Sequence, residues 1–140
     1  MNMRIVGLLT AVTATLTAPA IAHAEPVTPV ATRDATCAFT FQPPQPYLLH
    51  DAVLIAGYVT CAARPDDFHI SLRLQRREGG NWVTRDGMDS NDIPNPNLNV
   101  AARDLDCEPG AWQGAYTMSW SVGDDWGVAN NVSTTAIISC

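Results

Sequence analysis

At 140 residues and a formal net charge of −6, the chain has room for one modest hydrophobic core, and its acidic balance disfavours nonspecific binding to nucleic acid. Its 8 basic residues are all arginine, which is typical of a GC-rich coding sequence. These properties argue against both a multidomain protein and a nucleic-acid-binding protein.

The amino-terminal segment Met1–Ala24 is predicted to be a secretory signal peptide. A short basic start precedes the apolar run Ile5–Leu16, and Ala22-His23-Ala24 has the small-x-small pattern of a cleavage site. The apolar run is too short to span a membrane, and no twin-arginine pair precedes it. We therefore expect a secreted, extracellular protein in which Glu25–Asp34 is a flexible arm and residues 35–140 form the folded domain.

Four cysteines follow the signal peptide, namely Cys37, Cys61, Cys107 and Cys140. An even number in an exported chain predicts two disulfides, and no C-x-x-C spacing indicates a metal site. The order of the strands favours the sequential pairing, Cys37–Cys61 with Cys107–Cys140. The alternative is a cross-sandwich pair that joins Cys61 to Cys107 or Cys140, as in antibody domains.

Two strands are predicted before the strongest pattern in the chain. Cys37–Phe41 alternates apolar and polar side chains and is ended by the proline-rich Gln42–Pro46, because proline cannot donate to a sheet ladder. Ala52–Cys61 follows, with Val53, Ile55, Val59 and Cys61 on one face.

The segment Phe68–Arg77 has the clearest alternation. Phe68, Ile70, Leu72 and Leu74 alternate with polar residues, and this period of two predicts a strand with one buried face. Glu78-Gly79-Gly80 then reverses the chain into a strand over Asn81–Arg85, because glycine adopts positive φ without steric cost.

The remaining segments alternate between predicted loops and strands. Asp86–Asn97 is predicted to be the longest irregular surface segment, and Gly123–Asn131 another turn region. Strands are predicted where Leu98, Val100 and Ala102 alternate with polar residues, over Gly114–Val122, and over Ser133–Cys140. About seven strands without a helix predict an antiparallel β-sandwich, since neither sheet can cover its own apolar face.

The segment Pro109–Val122 resembles the late strand of bacterial immunoglobulin-like domains, which often read Pro-Gly-x-Tyr before alternating apolar residues. More widely, the chain resembles small exported two-disulfide proteins of GC-rich Gram-positive bacteria, through Gly57–Cys61, Leu74–Arg77 with Gly79–Trp82, and Ile138–Cys140. This resemblance implies an immunoglobulin-like β-sandwich and no settled activity. The chain is also similar to the neocarzinostatin-like carriers in size, acidity and export, although its cysteine spacings are wider, and that likeness implies a small-ligand carrier.

The sequence does not favour catalysis or a bound metal. After the signal peptide only His50 and His69 could act as bases, and no Gly-x-Ser-x-Gly elbow is present. Two histidines alone make a poor zinc site. The oxygen-rich Asp86–Asp92 is a minor candidate for calcium, but it lacks EF-hand spacing. We expect a noncatalytic protein without a cofactor.

Candidate binding residues are the tryptophans that no core alternation places, together with one pair of carboxylates. They are Trp82, Trp112, Trp126, Asp124 and Asp125. Exposed aromatic side chains supply contact area for proteins or sugars. A second hypothesis places a basic stripe along Arg73, Arg77 and Arg85, although charges on strands also discourage edge pairing.

The sequence therefore favours a monomeric, secreted binding or interaction module that recognises an extracellular protein or a glycan. One alternative is an inhibitor of an extracellular enzyme that uses Asp86–Asn97 or Asp124–Asn130 as its binding loop. The other is a small-ligand carrier or carbohydrate binder.

Overall fold

The computed structural model describes residues Cys37–Cys140, and within that range the chain forms nine β-strands and no helix. The strands are β1 Cys37–Phe41, β2 Tyr47–Leu49, β3 Ala52–Cys61, β4 Asp67–Glu78, β5 Asn81–Ser90, β6 Asn97–Asp104, β7 Gly110–Val122, β8 Asp125–Val132 and β9 Ala136–Ile138. The predicted signal peptide Met1–Ala24 and the arm Glu25–Asp34 lie outside the described residues. The all-β prediction is confirmed for the described range.

Two antiparallel sheets form the layers of a sandwich. In the first sheet β3 is central, with β6 on one edge and both β1 and β2 on the other. The second sheet has the order β5-β4-β7-β8. Because β4 pairs along one edge of β7, β8 and β9 must share its other edge. Each sheet thus has one outer strand that is broken into two pieces.

The core lies between the sheets and consists of the alternating side chains that the sequence indicates. From β4, Phe68 is 1% exposed and Ile70, Leu72 and Leu74 are fully buried. They pack with residues of β3 and β7, namely Val53, Ile55, Val59, Trp112, Met118 and Trp120. Burial of one such side chain stabilises the fold by roughly 1.5–3 kcal/mol. The strand Phe68–Arg77 is therefore confirmed as a central element.

Two strand glycines are explained by close packing in the core. A Cβ at Gly57 would collide with the ring of Phe39 on the paired strand of the same sheet, whereas a Cβ at Gly114 would collide with Ile55 of the opposite sheet. A larger residue at Gly57 would therefore displace the Phe39 ring, and one at Gly114 would push the sheets apart.

The disulfides are Cys37–Cys61 and Cys107–Cys140, so the sequential pairing is confirmed. Cys37 lies directly opposite Cys61 in the register of β1 and β3, and this bond therefore stays within one sheet. The cross-sandwich alternative is wrong because Cys107 lies in the connection between β6 and β7 and bonds Cys140 beyond β9.

The prediction that Asp86–Asn97 is irregular is wrong for its first half, because β5 continues to Ser90 along the long strand β4. The register shifts between Leu74 and Gln75, so that β5 accommodates one extra residue as a bulge and then resumes pairing. Only the segment 91–96 lacks strand structure, and Ile93 and Pro94 anchor it by packing into the protein.

Three other boundaries also differ from the predictions. Gly123–Asn131 is not a turn region, because β8 begins at Asp125 directly after a two-residue reversal. In the predicted closing strand only Ala136–Ile138 pairs with β7, because Ser133 exchanges hydrogen bonds with Gly114 instead. The sequence patterns also missed β2, which is joined to β3 by a turn whose two residues have positive φ.

A cluster of charged side chains joins both sheets at one end of the sandwich. Arg85 donates hydrogen bonds to Glu78 at 3.1 Å, to Asp104 at 3.3 Å, and to Glu108. Arg76 contacts the same two glutamates, with distances of 3.3 Å to Glu78 and 3.1 Å to Glu108. The hydrogen bonds that Arg85 donates to Glu108 and Glu78 raise the pKa of Arg85 above its usual range. These arginines therefore have a structural role.

Candidate binding surface

A row of exposed apolar side chains follows the broken outer strand of the second sheet. Trp126 and Val128 are 76% and 64% exposed, and Val132 and Ile137 are 52% and 77% exposed. We call these four residues of β8 and β9 the apolar edge row. Single exposed apolar residues are ordinary, but a linear row of them is a feature of interaction surfaces.

The sheet register places the whole apolar edge row on one face. Across β7 the four residues lie opposite Ser121, Ser119, Ala115 and Ala111. These positions differ by even numbers, so their side chains point to the same side of the sheet. That side is the outer face, because the intervening residues Met118 and Trp120 are buried in the core.

The inward-facing residues of β8 that meet the core have small side chains. A Cβ at Gly127 would collide with the indole of Trp120, so this glycine lets the Trp120 ring lie against the strand. Ala129 is the next inward position and packs partly against the core. Because small residues fill the inner side, the bulk of β8 lies on the outer side.

β8 is also the least protected sheet edge. Within Cys37–Cys140 it pairs with β7 on one side and with no strand on the other. Natural edge strands carry charges, prolines or bulges that prevent pairing with other chains. After Asp125, β8 contains neither a charged residue nor a proline over its remaining length.

The other sheet edges show these protective features. β5 carries Arg85, Asp86 and Asp89 and contains the bulge. Asp86 also accepts a hydrogen bond at 2.8 Å from the backbone N–H of Arg103, which covers part of the β6 edge. Prolines interrupt the edge that β1 and β2 share. An added strand would therefore pair most readily with β8.

Carboxylates surround the Trp126 end of the row. Asp124 lies exposed in the reversal before β8, and Asp125 is the first residue of the strand. Asp66 accepts a hydrogen bond at 2.7 Å from the backbone N–H of Gly123, which holds the β3–β4 connection against this reversal. Arg64 is the basic residue of that connection. This end of the surface is therefore acidic.

The structure brings together three of the five predicted binding residues. Asp124, Asp125 and Trp126 are adjacent and exposed. Trp82 is instead half-buried on β5, and Arg77 lies 5.9 Å from the centre of its ring. It is separated from Trp126 by β4 and β7 and lies at the opposite end of these strands. Trp112 needs correction as a binding residue: it is fully buried, and its Nε1 donates to the carbonyl of Glu108 at 3.0 Å.

Sequence analysis missed the apolar partners of Trp126. Val128, Val132 and Ile137 extend the surface. Val128 lies within Gly123–Asn131, which the sequence predicts to be a turn region, and Val132 directly follows it. The sequence does contain a strand signal, because Trp126, Val128, Asn130 and Val132 occupy alternate positions. Gly127 and the Asn130-Asn131 pair are typical turn residues and obscure this alternation.

His69 occupies the only arrangement in the described residues that resembles catalytic machinery. It lies opposite Ser119 across β4 and β7, and its Nδ1 is 2.8 Å from Oδ1 of Asn91. An acyl-transfer site also needs free donors for the oxyanion. β7 is paired along both edges, so the backbone N–H groups beside Ser119 serve the sheet ladders. These backbone groups are therefore not available to an oxyanion at Ser119.

The proposed calcium ligands are directed to different partners. Arg73 donates two hydrogen bonds to Asp89, at 2.9 and 3.0 Å, and these hold the pKa of Asp89 below its usual range. Asp86 instead caps β6. Among the described residues, no three histidine, cysteine or acidic side chains converge on a metal position. The described residues therefore give the calcium alternative no support, and pairing of Arg73 and Arg85 with carboxylates also removes the basic stripe.

An aromatic cluster inside the sandwich bears on the carrier alternative. Phe39 and Phe41 have ring centres 4.9 Å apart, and the ring of Tyr116 is 4.6 Å from Phe39 and 5.7 Å from Phe41. Burial raises the pKa of Tyr116. The rings contact one another over Gly57 and Gly114, so they fill this part of the interior instead of lining an empty cleft.

Comparison with known proteins adds no relative: no family model, curated protein or solved structure matches the chain. Among the described residues, no helix has the length and apolar character needed to cross a membrane. The buried side-chain nitrogen and oxygen atoms of this region all have hydrogen-bond partners, so none is left directed at a ligand. In this part of the chain, the polar groups open to a ligand therefore lie on the exposed surface.

Proposed function

We propose that this protein is a secreted, noncatalytic binding module that recognises an extracellular protein through the apolar edge row. The observation that carries the proposal is the position of four exposed apolar side chains on an unprotected sheet edge. A partner strand could add to such an edge through main-chain hydrogen bonds, while the side chains supply specificity. Trp126 is a suitable anchor, because exposed tryptophans contribute strongly to protein interfaces.

The proposed location is supported by the cysteines and by the amino-terminal pattern. Two disulfides indicate an oxidising compartment. The predicted signal peptide Met1–Ala24 supports export to the extracellular space. The disulfides also restrict the unfolded chain, which favours a rigid surface that loses little entropy on binding.

We also infer an immunoglobulin-like connectivity. In the first sheet, β1 with β2, then β3, then β6 would correspond to the strand order A-B-E of that fold. In the second sheet, β8, β7, β4 and β5 would correspond to G-F-C-C′. On this reading the apolar edge row occupies the final strand of the domain.

The surface favours this proposal over the inhibitor alternative. The irregular segment 91–96 is tied down by Ile93 and Pro94, and the segment after Asp124 is strand. Both candidate loops are therefore shorter than the sequence predicts. A panel of extracellular proteases provides a direct check, because an inhibitor would block one of them and a binding module would leave all of them active.

The proposal is tested by capture of partners from the medium and cell-surface extract of the producing cells. The immobilised protein is compared with Val128→Asp, which puts a charge in the apolar edge row. Thr60→Asp, on the exposed outer face of the other sheet, is the matched control. We expect one protein to be retained by the wild type and by Thr60→Asp but lost with Val128→Asp. Equal retention by all three would contradict the proposal.

A further inference from the structure

We propose that the occupant of the apolar edge row is an extended, cationic segment of a partner protein, which pairs with β8 and places a basic side chain at Trp126. This inference rests on the proposed function and adds the chemistry of the partner. Three observations carry it: the linear shape of the surface, the unpaired backbone groups along the edge of β8, and the acidic charge near Trp126.

The shape of the surface favours an extended occupant. The apolar edge row is linear because it follows one broken strand, and neighbouring strands lie about 4.8 Å apart, within reach of side chains on an added strand. A helix could pack along such a row, but it would leave the backbone groups at the edge of β8 unpaired. The unpaired backbone groups of the eight-residue strand β8 would match those of an extended segment.

The distribution of charge favours a cationic occupant. Asp124 and Asp125 directly precede Trp126 in the chain, and Asp66 is held against the same reversal, whereas Arg64 is the basic residue of the adjoining connection. A lysine or arginine of the partner could lie over the exposed indole and remain near the carboxylates. The whole chain has a formal net charge of −6, which also steers a basic segment toward it.

The same charge disfavours a second copy of this chain as the occupant. Two copies would each have a net charge of −6, and pairing through β8 would bring two acidic surfaces together. A glycan is disfavoured because sugar binding on Trp126 would leave Val128 and Val132 without a role.

Synthetic peptides provide the test, with the full exported protein as the receptor. Each peptide contains the same alternating threonine–valine core, as long as β8, and its two ends carry arginines, serines or glutamates. Binding is measured by calorimetry at low and high salt. We expect the arginine peptide to bind at least about tenfold more tightly than the serine peptide, the glutamate peptide to bind most weakly, and salt to reduce the difference.

Variants identify the groups responsible. Asp124→Asn with Asp125→Asn should reduce binding of the arginine peptide by about tenfold and leave the serine peptide unchanged. Trp126→Ala should weaken the arginine peptide, and Thr60→Asp should change neither. A peptide that is N-methylated on the edge facing β8 should not bind, because it cannot form the ladder. Far-UV circular dichroism of each variant establishes that the fold is intact.

The outcomes separate the inference from the proposed function. If the glutamate and arginine peptides bind equally to the wild type, and Val128→Asp abolishes both, the cationic partner is wrong while the binding surface stands. If Val128→Asp and the wild type bind every peptide equally, or bind none, the proposed function fails as well. If sedimentation shows a dimer that high salt strengthens and Val128→Asp dissociates, a second copy is the occupant and the inference is overturned.

Discussion

Trp120 and Trp126 lie on neighbouring strands of one sheet, but their environments are opposite. Trp120 is 8% exposed and packs against Gly127 in the core, whereas Trp126 is 76% exposed on the outer face. An aromatic ring at the first position supports the fold, and at the second it is available to a partner. The free energy of unfolding of single variants should separate the two roles.

Trp126→Ala is expected to change the free energy of unfolding by less than about 1 kcal/mol, because an exposed side chain leaves no cavity. Trp120→Ala should cost about 3–5 kcal/mol, because it removes a buried ring. Urea unfolding followed by circular dichroism measures both values. An equal loss in the two variants would show that Trp126 is part of the core and would remove the candidate surface.

Asp89 contributes to the pH dependence of the protein's stability. Hydrogen bonds from Arg73 lower its pKa in the folded protein, so the carboxylate stabilises the fold above its ordinary pKa of about 3.9. This stabilisation is lost as the pH falls below that value and through the folded pKa.

When the pH falls from 7 to below about 4, the melting temperature of Asp89→Asn should therefore decrease less than that of the wild type. The effect is expected to be small, because the ion pair is partly exposed. Arg73→Gln is the matched background, in which Asp89→Asn should make a smaller difference, because Ser71 still bonds the carboxylate. A difference of unchanged size in that background would exclude Arg73 as the main cause.

At the scale of elements, the segment 91–96 behaves as part of the fold. Ile93 packs against the core and Pro94 is fully buried, whereas Asp92 is exposed. A loop with two inward anchors cannot move freely, although its composition of Asp, Asn and Pro resembles that of a mobile surface loop.

Ile93→Ala is expected to lower the free energy of unfolding by about 1–3 kcal/mol, because it removes a partly buried side chain. Asp92→Ser should stay within about 0.5 kcal/mol of the wild type, since it changes only an exposed side chain. Thermal melts of the two variants test this difference. If both are neutral, Ile93 does not anchor the segment.

Sequence periodicity was reliable where one face of a strand is completely buried. Phe68, Ile70, Leu72 and Leu74 alternate without interruption because each contacts the opposite layer. It failed for β8, where Gly127 serves the packing of Trp120 and two asparagines occupy an exposed edge. Glycine and asparagine are also typical turn residues, so composition alone could not separate these two causes.

The same reasoning predicted only part of the candidate surface. Asp124, Asp125 and Trp126 are adjacent in sequence and were predicted together, but Val132 and Ile137 join them only through the register with β7. Trp112 shows the opposite error. The alternation of the predicted strand Gly114–Val122 extends back to Trp112, which lies opposite Arg76 on the inner side of the sheet, but the predicted strand begins only at Gly114.

At the scale of the whole molecule, the two disulfides close separate parts of the chain. The paired cysteines are 24 and 33 positions apart. Replacing either pair by serines should cost about 3–4 kcal/mol in the loop-entropy model, because the unfolded chain gains freedom. Urea unfolding of each double-serine variant measures the loss. A cost below about 1 kcal/mol for either pair would show that its loop adds little to stability.

The placement of these bonds also determines how the domain responds to tension. The first bond encloses β1 to β3 in a covalent ring, and the second encloses β7 to β9. A force applied between Cys37 and Cys140 would bypass both rings and extend only the chain between Cys61 and Cys107. Even in a mechanically stretched protein, β8 would thus stay within a segment that pulling cannot lengthen.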